Sequence, residues 1–166
     1  MGNFHSTLEF PEDKWSIEYG AAVIASGAVE YKPTEYLYGS DSRVMTQIEL
    51  EKLLEEQPDG LTDAPTVVMI QCVGSREPDH PYCSRVCCGY AVQNALKIKE
   101  IRPRAQVFVL YRDIRTYGLK ELYYKKARDL GVQFIRFEPE AKPEVTATED
   151  GLAVQVFDQN LQACQQ

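Results

Sequence analysis

Continuous apolar runs alternate with helix-spaced apolar positions through the second half of the chain. The runs predict buried strands at residues 67–71, 106–111 and 132–137, of the kind found in a parallel sheet covered on both faces. Between them, apolar residues at helical spacing predict helices at about 84–99 and 120–130. The order βαβαβ with right-handed crossovers predicts an α/β fold, a Rossmann-like three-layer arrangement around a parallel sheet.

The first part of the chain shows shorter and weaker patterns. Residues 4–19 predict a β-hairpin that turns at 11–14, and residues 21–25 predict a small apolar strand. Thr46 and Glu49 form a capping box that opens a helix. A break at 57–60 follows, so we place a domain boundary there, with one segment at 1–58 and a Rossmann-like half at 59–166.

The Rossmann-like half is predicted to end in a β-hairpin. Two strand-like runs, at residues 144–148 and 152–157, flank the turn sequence Glu149-Asp150-Gly151. The fold class is therefore βαβαβ plus a β-hairpin.

Composition and charge exclude several classes of protein. The chain has 166 residues, of which 44% are hydrophobic, enough for one globular core with part of a second. No apolar run reaches the roughly 18 residues of a membrane span, and the amino terminus lacks an export signal, so a cytoplasmic location is expected. The formal charge of -7 disfavours nucleic acid as a partner, because phosphate binding requires Lys and Arg.

Four of the five cysteines lie within seventeen residues, in the order C-x10-C-x3-C-C. They are Cys72, Cys83, Cys87 and Cys88. The first follows a predicted strand, at the sheet edge where open α/β folds bind ligands, and the last two fall in the first turn of a predicted helix, where thiolates are stabilised. Four thiolates in a chain of this kind indicate an iron-sulfur cluster. Cys164 lies apart and is interpreted as a bystander.

Other interpretations of the cysteines stay open at this point. They could be ordinary buried residues, a thiol redox switch, or zinc ligands, although adjacent cysteines fit zinc knuckles poorly. A dinucleotide grip is not expected, because only Gly74 of the required glycines follows the first strand. Arg112, Asp113 and Arg115 are interpreted as solvated loop residues, whereas Arg76 and Arg85 could supply counter-charge to a cluster.

Three segments together resemble heterodisulfide reductase, specifically the family of its A subunits. They are residues 70–76 (IQCVGSR), 82–88 (YCSRVCC) and 110–115 (LYRDIR). The resemblance is strongest from about residue 67 to 139. It extends weakly to Ala25, Ser26 and Gly27, which resemble a strand end in the FAD domain of thioredoxin-reductase-like flavoproteins.

The resemblance implies an electron-transfer function. Proteins of this family carry FAD and iron-sulfur clusters and pass electrons between partner subunits, which here implies a [4Fe-4S] cluster bound by Cys72, Cys83, Cys87 and Cys88. The implied partners are heterodisulfide-reductase-like subunits and ferredoxin- or hydrogenase-type donors. Ala25, Ser26 and Gly27 would contact FAD, within a partial FAD-domain segment at 1–58.

The extent of the resemblance also limits the expected activity. The chain resembles a middle fragment of such a protein, which by itself is not expected to catalyse a reaction. The alternative is a non-redox docking module whose cysteines bind zinc or remain free.

Overall fold

The computed structural model describes residues 2–61 and 65–166. The chain divides into two compact units, the first ending at Glu30 and the second beginning at Tyr31. The predicted boundary near residue 58 separates a segment that resembles part of a FAD domain from the Rossmann-like half. That assignment stays a prediction.

The first unit is built around the predicted hairpin. Strands β1 (Phe4–Glu9) and β2 (Lys14–Tyr19) pair antiparallel with Phe4 opposite Tyr19, and the Phe10 and Trp15 rings pack edge to face beside the turn. The predicted strand at 21–25 is wrong: these residues form no strand, and Val23 and Ile24 are at least 90% exposed. An apolar run becomes a strand only where a neighbour accepts its hydrogen bonds, and the described residues of this unit offer none.

The second unit has an α/β architecture, which confirms the predicted fold class. Its elements are α1 (Gln47–Glu56), β3 (Thr66–Ile70), α2 (Cys87–Ile101), β4 (Gln106–Tyr111), α3 (Lys120–Asp129), β5 (Gln133–Arg136), β6 (Glu144–Ala147), β7 (Leu152–Asp158) and β8 (Ala163–Gln165). Strands β3, β4 and β5 form a parallel sheet in that order. The carboxyl ends of these strands therefore meet at one edge.

Alternate residues of the parallel sheet pack into two separate cores. On one face, Val107 and Val109 of β4 lie against α2, where Ile98 is fully buried. On the other face, Leu110 packs with Phe137 and with Val156 of β7. Strand β7 packs on this second face, and it belongs to the antiparallel sheet β6-β7-β8, which contains the predicted hairpin and the unpredicted strand β8. Two apolar faces explain why β4 is an unbroken hydrophobic run.

The helices on the first face are fixed by specific contacts. The capping box at the start of α1 is confirmed, with Thr46 Oγ1 accepting from the Glu49 N–H and Glu49 Oε2 accepting from the Thr46 N–H. The buried Asn94 of α2 donates to the main-chain and side-chain oxygens of Gln47. These bonds hold α1 against α2.

Helix α2 begins three residues later than predicted. Arg85 has φ +62°, a left-handed conformation that an α-helix cannot contain. The helix therefore starts at Cys87, and Cys87 and Cys88 still occupy its first turn, as predicted.

None of the helices in the described part of the chain has the length and apolar character needed to cross a membrane.

Candidate metal centre

The loop that follows β3 has an alternating backbone. Cys72, Gly74 and Arg76 have φ of +65°, +66° and +59°, whereas Val73 and Ser75 between them do not have positive φ. Residues of alternating handedness turn successive N–H groups toward one side and form a concavity that binds anions. In this loop, however, the Ser75 N–H donates to the Cys72 carbonyl and the Arg76 N–H donates to the Tyr82 carbonyl, so these two groups do not face a ligand.

Gly74 is required in this loop for two reasons. Its φ is costly for any residue with a Cβ, and an added Cβ would lie 2.3 Å from ring atoms of Tyr31. The Tyr31 ring therefore packs directly on the loop backbone. This contact was not predicted, because nothing in the sequence links Tyr31 to a glycine more than forty residues later.

Cys87 has the most strongly stabilised thiolate of the group. Its pKa is lowered to about 6, chiefly by a hydrogen bond from the Cys88 thiol and further by the Ser84 hydroxyl and the N–H groups of Cys88 and Cys72. Burial opposes this shift. Cys87 is consequently a thiolate near neutral pH, held between the loop after β3 and the first turn of α2.

Cys88 and Cys72 are buried thiols that favour the protonated form. The pKa of Cys88 is raised, first by its hydrogen bond to Cys87 and then by burial, and its thiol also lies 3.6 Å from the Asp113 carbonyl oxygen. Burial raises the pKa of Cys72, as does the neighbouring Cys87, while Arg76 lowers it. The structure brings these three cysteines together.

Cys83 lies at the margin of this group. It is half-buried, and its Sγ accepts a hydrogen bond from the Arg85 N–H at 3.3 Å. It also acts electrostatically on Arg115, whose pKa it raises. Cys83 is therefore positioned by the loop before α2 and by two arginines, and it makes no described contact with the other three sulfurs.

Arginine side chains line the same edge of the sheet. Arg76 Nη1 lies 3.9 Å from Cys72 Sγ, and its other terminal nitrogen pairs with Asp113. The interpretation of Arg112 as a solvated residue is wrong: it is 6% exposed and donates to the Arg76 carbonyl and the Glu77 carboxylate. Asp113 and Arg115 also pair with each other. This positive charge favours anions at the cysteines.

Among the described residues, no three His, Cys, Asp or Glu side chains are arranged so as to hold one metal ion. An iron-sulfur cluster requires a different geometry, because its thiolates bind separate iron atoms and surround the cluster instead of meeting at one point.

The predicted flavin contacts lie in the other compact unit. Ala25, Ser26 and Gly27 are exposed, and Gly27 has φ +73°. Their assignment to a cofactor stays a prediction.

The low pKa of Cys87 predicts selective alkylation of the metal-free chain. Because the thiolate is the nucleophile, the rate should rise with pH and reach half its maximum near pH 6, the pKa of this thiol. Ser84→Ala removes one stabilising hydrogen bond and should move the midpoint upward. The measurement is iodoacetamide labelling with fragment-ion mass spectrometry to separate Cys87 from Cys88. A midpoint of about 8.5, the ordinary thiol value, in both chains would contradict the assignment.

Comparison with known proteins gives a consistent set of relatives. The chain is 38% identical to the A subunit of the H2/formate:CoB-CoM heterodisulfide,ferredoxin reductase of Methanococcus maripaludis, over 86% of this chain and 25% of the relative. It is 35% identical to the iron-sulfur A subunit of the CoB-CoM heterodisulfide reductase of Methanocaldococcus jannaschii, and this match covers 86% of the chain and 25% of that relative. The chain spans about a quarter of the length of these relatives. No family model matches it.

Proposed function

The chain belongs to the family of heterodisulfide reductase A subunits, and from this premise we propose that it carries a [4Fe-4S] cluster on Cys72, Cys83, Cys87 and Cys88. When bound, such a cluster accepts and releases single electrons. The proposed function is to relay electrons between a flavin and the clusters of partner subunits.

The observation that carries this proposal is the environment of Cys87. The pKa of its thiol is lowered by the neighbouring Cys88 thiol, the Ser84 hydroxyl and the backbone N–H groups of Cys88 and Cys72, an arrangement that stabilises negative charge on sulfur. Metal binding requires deprotonated cysteine, so the chain offers at least one ligand already in the required state. Hydrogen bonds to ligating sulfur also adjust the reduction potential of a cluster.

The surroundings fit an anionic group as well. The first turn of α2 and the Arg76 guanidinium, 3.9 Å from Cys72 Sγ, both favour negative charge at the same place. Cys72 and Cys88 are buried thiols whose raised pKa values would fall on metal coordination, because a coordinated thiol loses its proton. The donor set is therefore suited to a cluster in both kind and number.

Three further features belong to the same proposal. Residues 1–58 derive from a FAD domain, with Ala25, Ser26 and Gly27 at its flavin-binding edge. The partners are other heterodisulfide-reductase-like subunits and donors of the ferredoxin or hydrogenase type, in agreement with relatives whose names include ferredoxin, H2 or F420H2. The relay operates in the cytoplasm.

Iron and acid-labile sulfide per chain test the proposal directly. Protein purified and reconstituted without oxygen should contain about four of each and absorb broadly in the visible range. A colourless chain that binds neither iron nor sulfide, but holds one zinc ion, would refute the cluster. Such a result would support the docking module instead.

A further inference from the structure

Gln71 has a buried side-chain amide that no hydrogen bond accounts for. The residue is 3% exposed, and within residues 2–61 and 65–166 neither its Nε2 nor its Oε1 has a hydrogen-bond partner. Buried amides are almost always paired, because an unpaired amide loses its hydration without compensation. This exception therefore indicates a partner that is not part of the chain.

The strand geometry places the Gln71 side chain on the face that α2 covers. Its N–H donates to the Leu110 carbonyl at 2.9 Å, so the pairing of β3 with β4 continues as far as Gln71 and side chains still alternate between the two faces. Met69, two residues earlier, packs in the core that contains Val92 of α2. Gln71 lies on the same face, one step nearer the carboxyl edge of the sheet.

The first turn of α2 lies at the same edge. Because β3 and β4 are parallel, α2 returns the chain from the carboxyl end of one strand to the amino end of the next, so it begins beside the carboxyl ends. The Cys72 N–H is among the groups that lower the pKa of Cys87, and a backbone N–H has this effect only at short range. The peptide that joins Gln71 to Cys72 is therefore next to the Cys87 sulfur.

An amide N–H is a suitable donor to the sulfur of an iron-sulfur cluster. Such sulfur atoms carry negative charge, and the hydrogen bonds that they accept help to set the reduction potential. Because neither amide atom of Gln71 is held by a partner among the described residues, nothing fixes which of them faces the cysteines, and a half-turn of the amide group presents Nε2.

We propose that Gln71 Nε2 donates a hydrogen bond to a sulfur atom of the cluster and thereby raises its reduction potential. The inference rests on the proposed function, because it requires the cluster. Reduction by one electron adds negative charge, so a donor to sulfur stabilises the reduced form more than the oxidised form. Gln71 thus adjusts the potential without adding a charge of its own.

A bound water molecule is the competing partner for this amide. A cavity of about 40 Å³ is bordered by Gln71, Cys72 and Arg112, and this volume is sufficient for water. Water would pair the amide in the metal-free chain as well, whereas a cluster pairs it only when bound. The stability of the metal-free chain therefore separates the two partners.

Gln71→Met tests the proposal, because it keeps a straight side chain of similar length and removes both polar atoms. In the cluster-loaded chain, a redox titration followed by visible absorption should give a midpoint lower by about 59 mV, which corresponds to a change of about tenfold in a one-electron equilibrium. In the metal-free chain, this variant should resist urea at least as well as the unaltered chain, since an unpaired buried amide has been removed.

Thr116→Val is the matched control. Thr116 is also buried, at 4% exposed, but its hydroxyl donates to the Glu121 carboxylate. Replacing it removes a hydrogen bond that is already made, so the metal-free chain should unfold at lower urea concentration. The midpoint potential of the loaded control should not change.

Two results would overturn the role of Gln71. One is an unchanged midpoint in Gln71→Met, and the other is a metal-free Gln71→Met chain that is destabilised like Thr116→Val, which would assign the amide to bound water. Iron content measured on the same samples distinguishes this failure from that of the proposed function. Iron in both chains with equal midpoints would remove the role of Gln71 alone, whereas no iron in either chain would remove the cluster and this inference together.

Discussion

Replacing Cys88 by alanine should reduce iron from about four atoms per chain to less than one, measured with acid-labile sulfide after anaerobic reconstitution. Cys88 is 3% exposed and supplies the main hydrogen bond that holds Cys87 as a thiolate. Its loss therefore removes one ligand and weakens a second. We expect the visible absorption to disappear with the iron.

Two further variants make this result decisive. Cys83→Ser removes the thiol at the margin of the group and should also lower the iron content. Because Cys83 is only half-buried, this change should leave the core undisturbed. Cys164→Ala, at an exposed position, should leave about four iron atoms. Full iron retention in both Cys88→Ala and Cys83→Ser, with circular dichroism showing a folded chain, would refute the ligand assignment.

Gly74→Ala should destabilise the metal-free second unit by about 2 to 3 kcal/mol. Part of this loss is the strain of a Cβ at positive φ, roughly 1 to 2 kcal/mol. The remainder arises because the new Cβ would lie 2.3 Å from the Tyr31 ring, which must leave the loop and lose its packing. Urea denaturation followed by circular dichroism measures the change.

Gly118 provides a matched control for Gly74. Its φ is +60°, but among the described residues no atom beyond its chain neighbours lies within 4 Å of its added Cβ, so Gly118→Ala should cost only the strain, roughly 1 to 2 kcal/mol. Adding Tyr31→Ala to each variant completes a double-mutant cycle. Coupling is expected between Tyr31 and Gly74 and not between Tyr31 and Gly118. Equal losses for both glycines, without coupling, would show that the Tyr31 contact contributes nothing.

Much of the fold could be predicted because its signals are local. Unbroken apolar runs identified the strands of a sheet buried on both faces, and the capping box of Thr46 and Glu49 correctly placed the start of a helix. The same local reasoning failed for residues 21–25. Their apolar character was sufficient for a strand, but a strand also depends on a partner, which the residues themselves do not encode.

The candidate site could be predicted in its thiols but not in its geometry. The spacing of the cysteines predicted a set of four ligands, which stays a prediction, whereas their position beside a strand and in the first turn of a helix followed from the apolar pattern and is confirmed. The left-handed residues Cys72, Arg76 and Arg85 carry no such signal, because side chains of these types usually avoid that conformation. The burial of Arg112 was missed for a related reason, since it depends on Glu77 and a carbonyl group from a distant loop.

The continuity of the segment from Cys72 to Cys88 also affects the entropic cost of assembling the site. All four thiols belong to one stretch of seventeen residues, whereas Tyr31 must reach Gly74 across a loop more than twice as long. Loop closure costs roughly 0.6 kcal/mol more for each doubling of length, so chain entropy favours the thiol contacts over the tyrosine contact. In the denatured chain, the four cysteines are therefore brought together at a lower entropic cost than Tyr31 and Gly74.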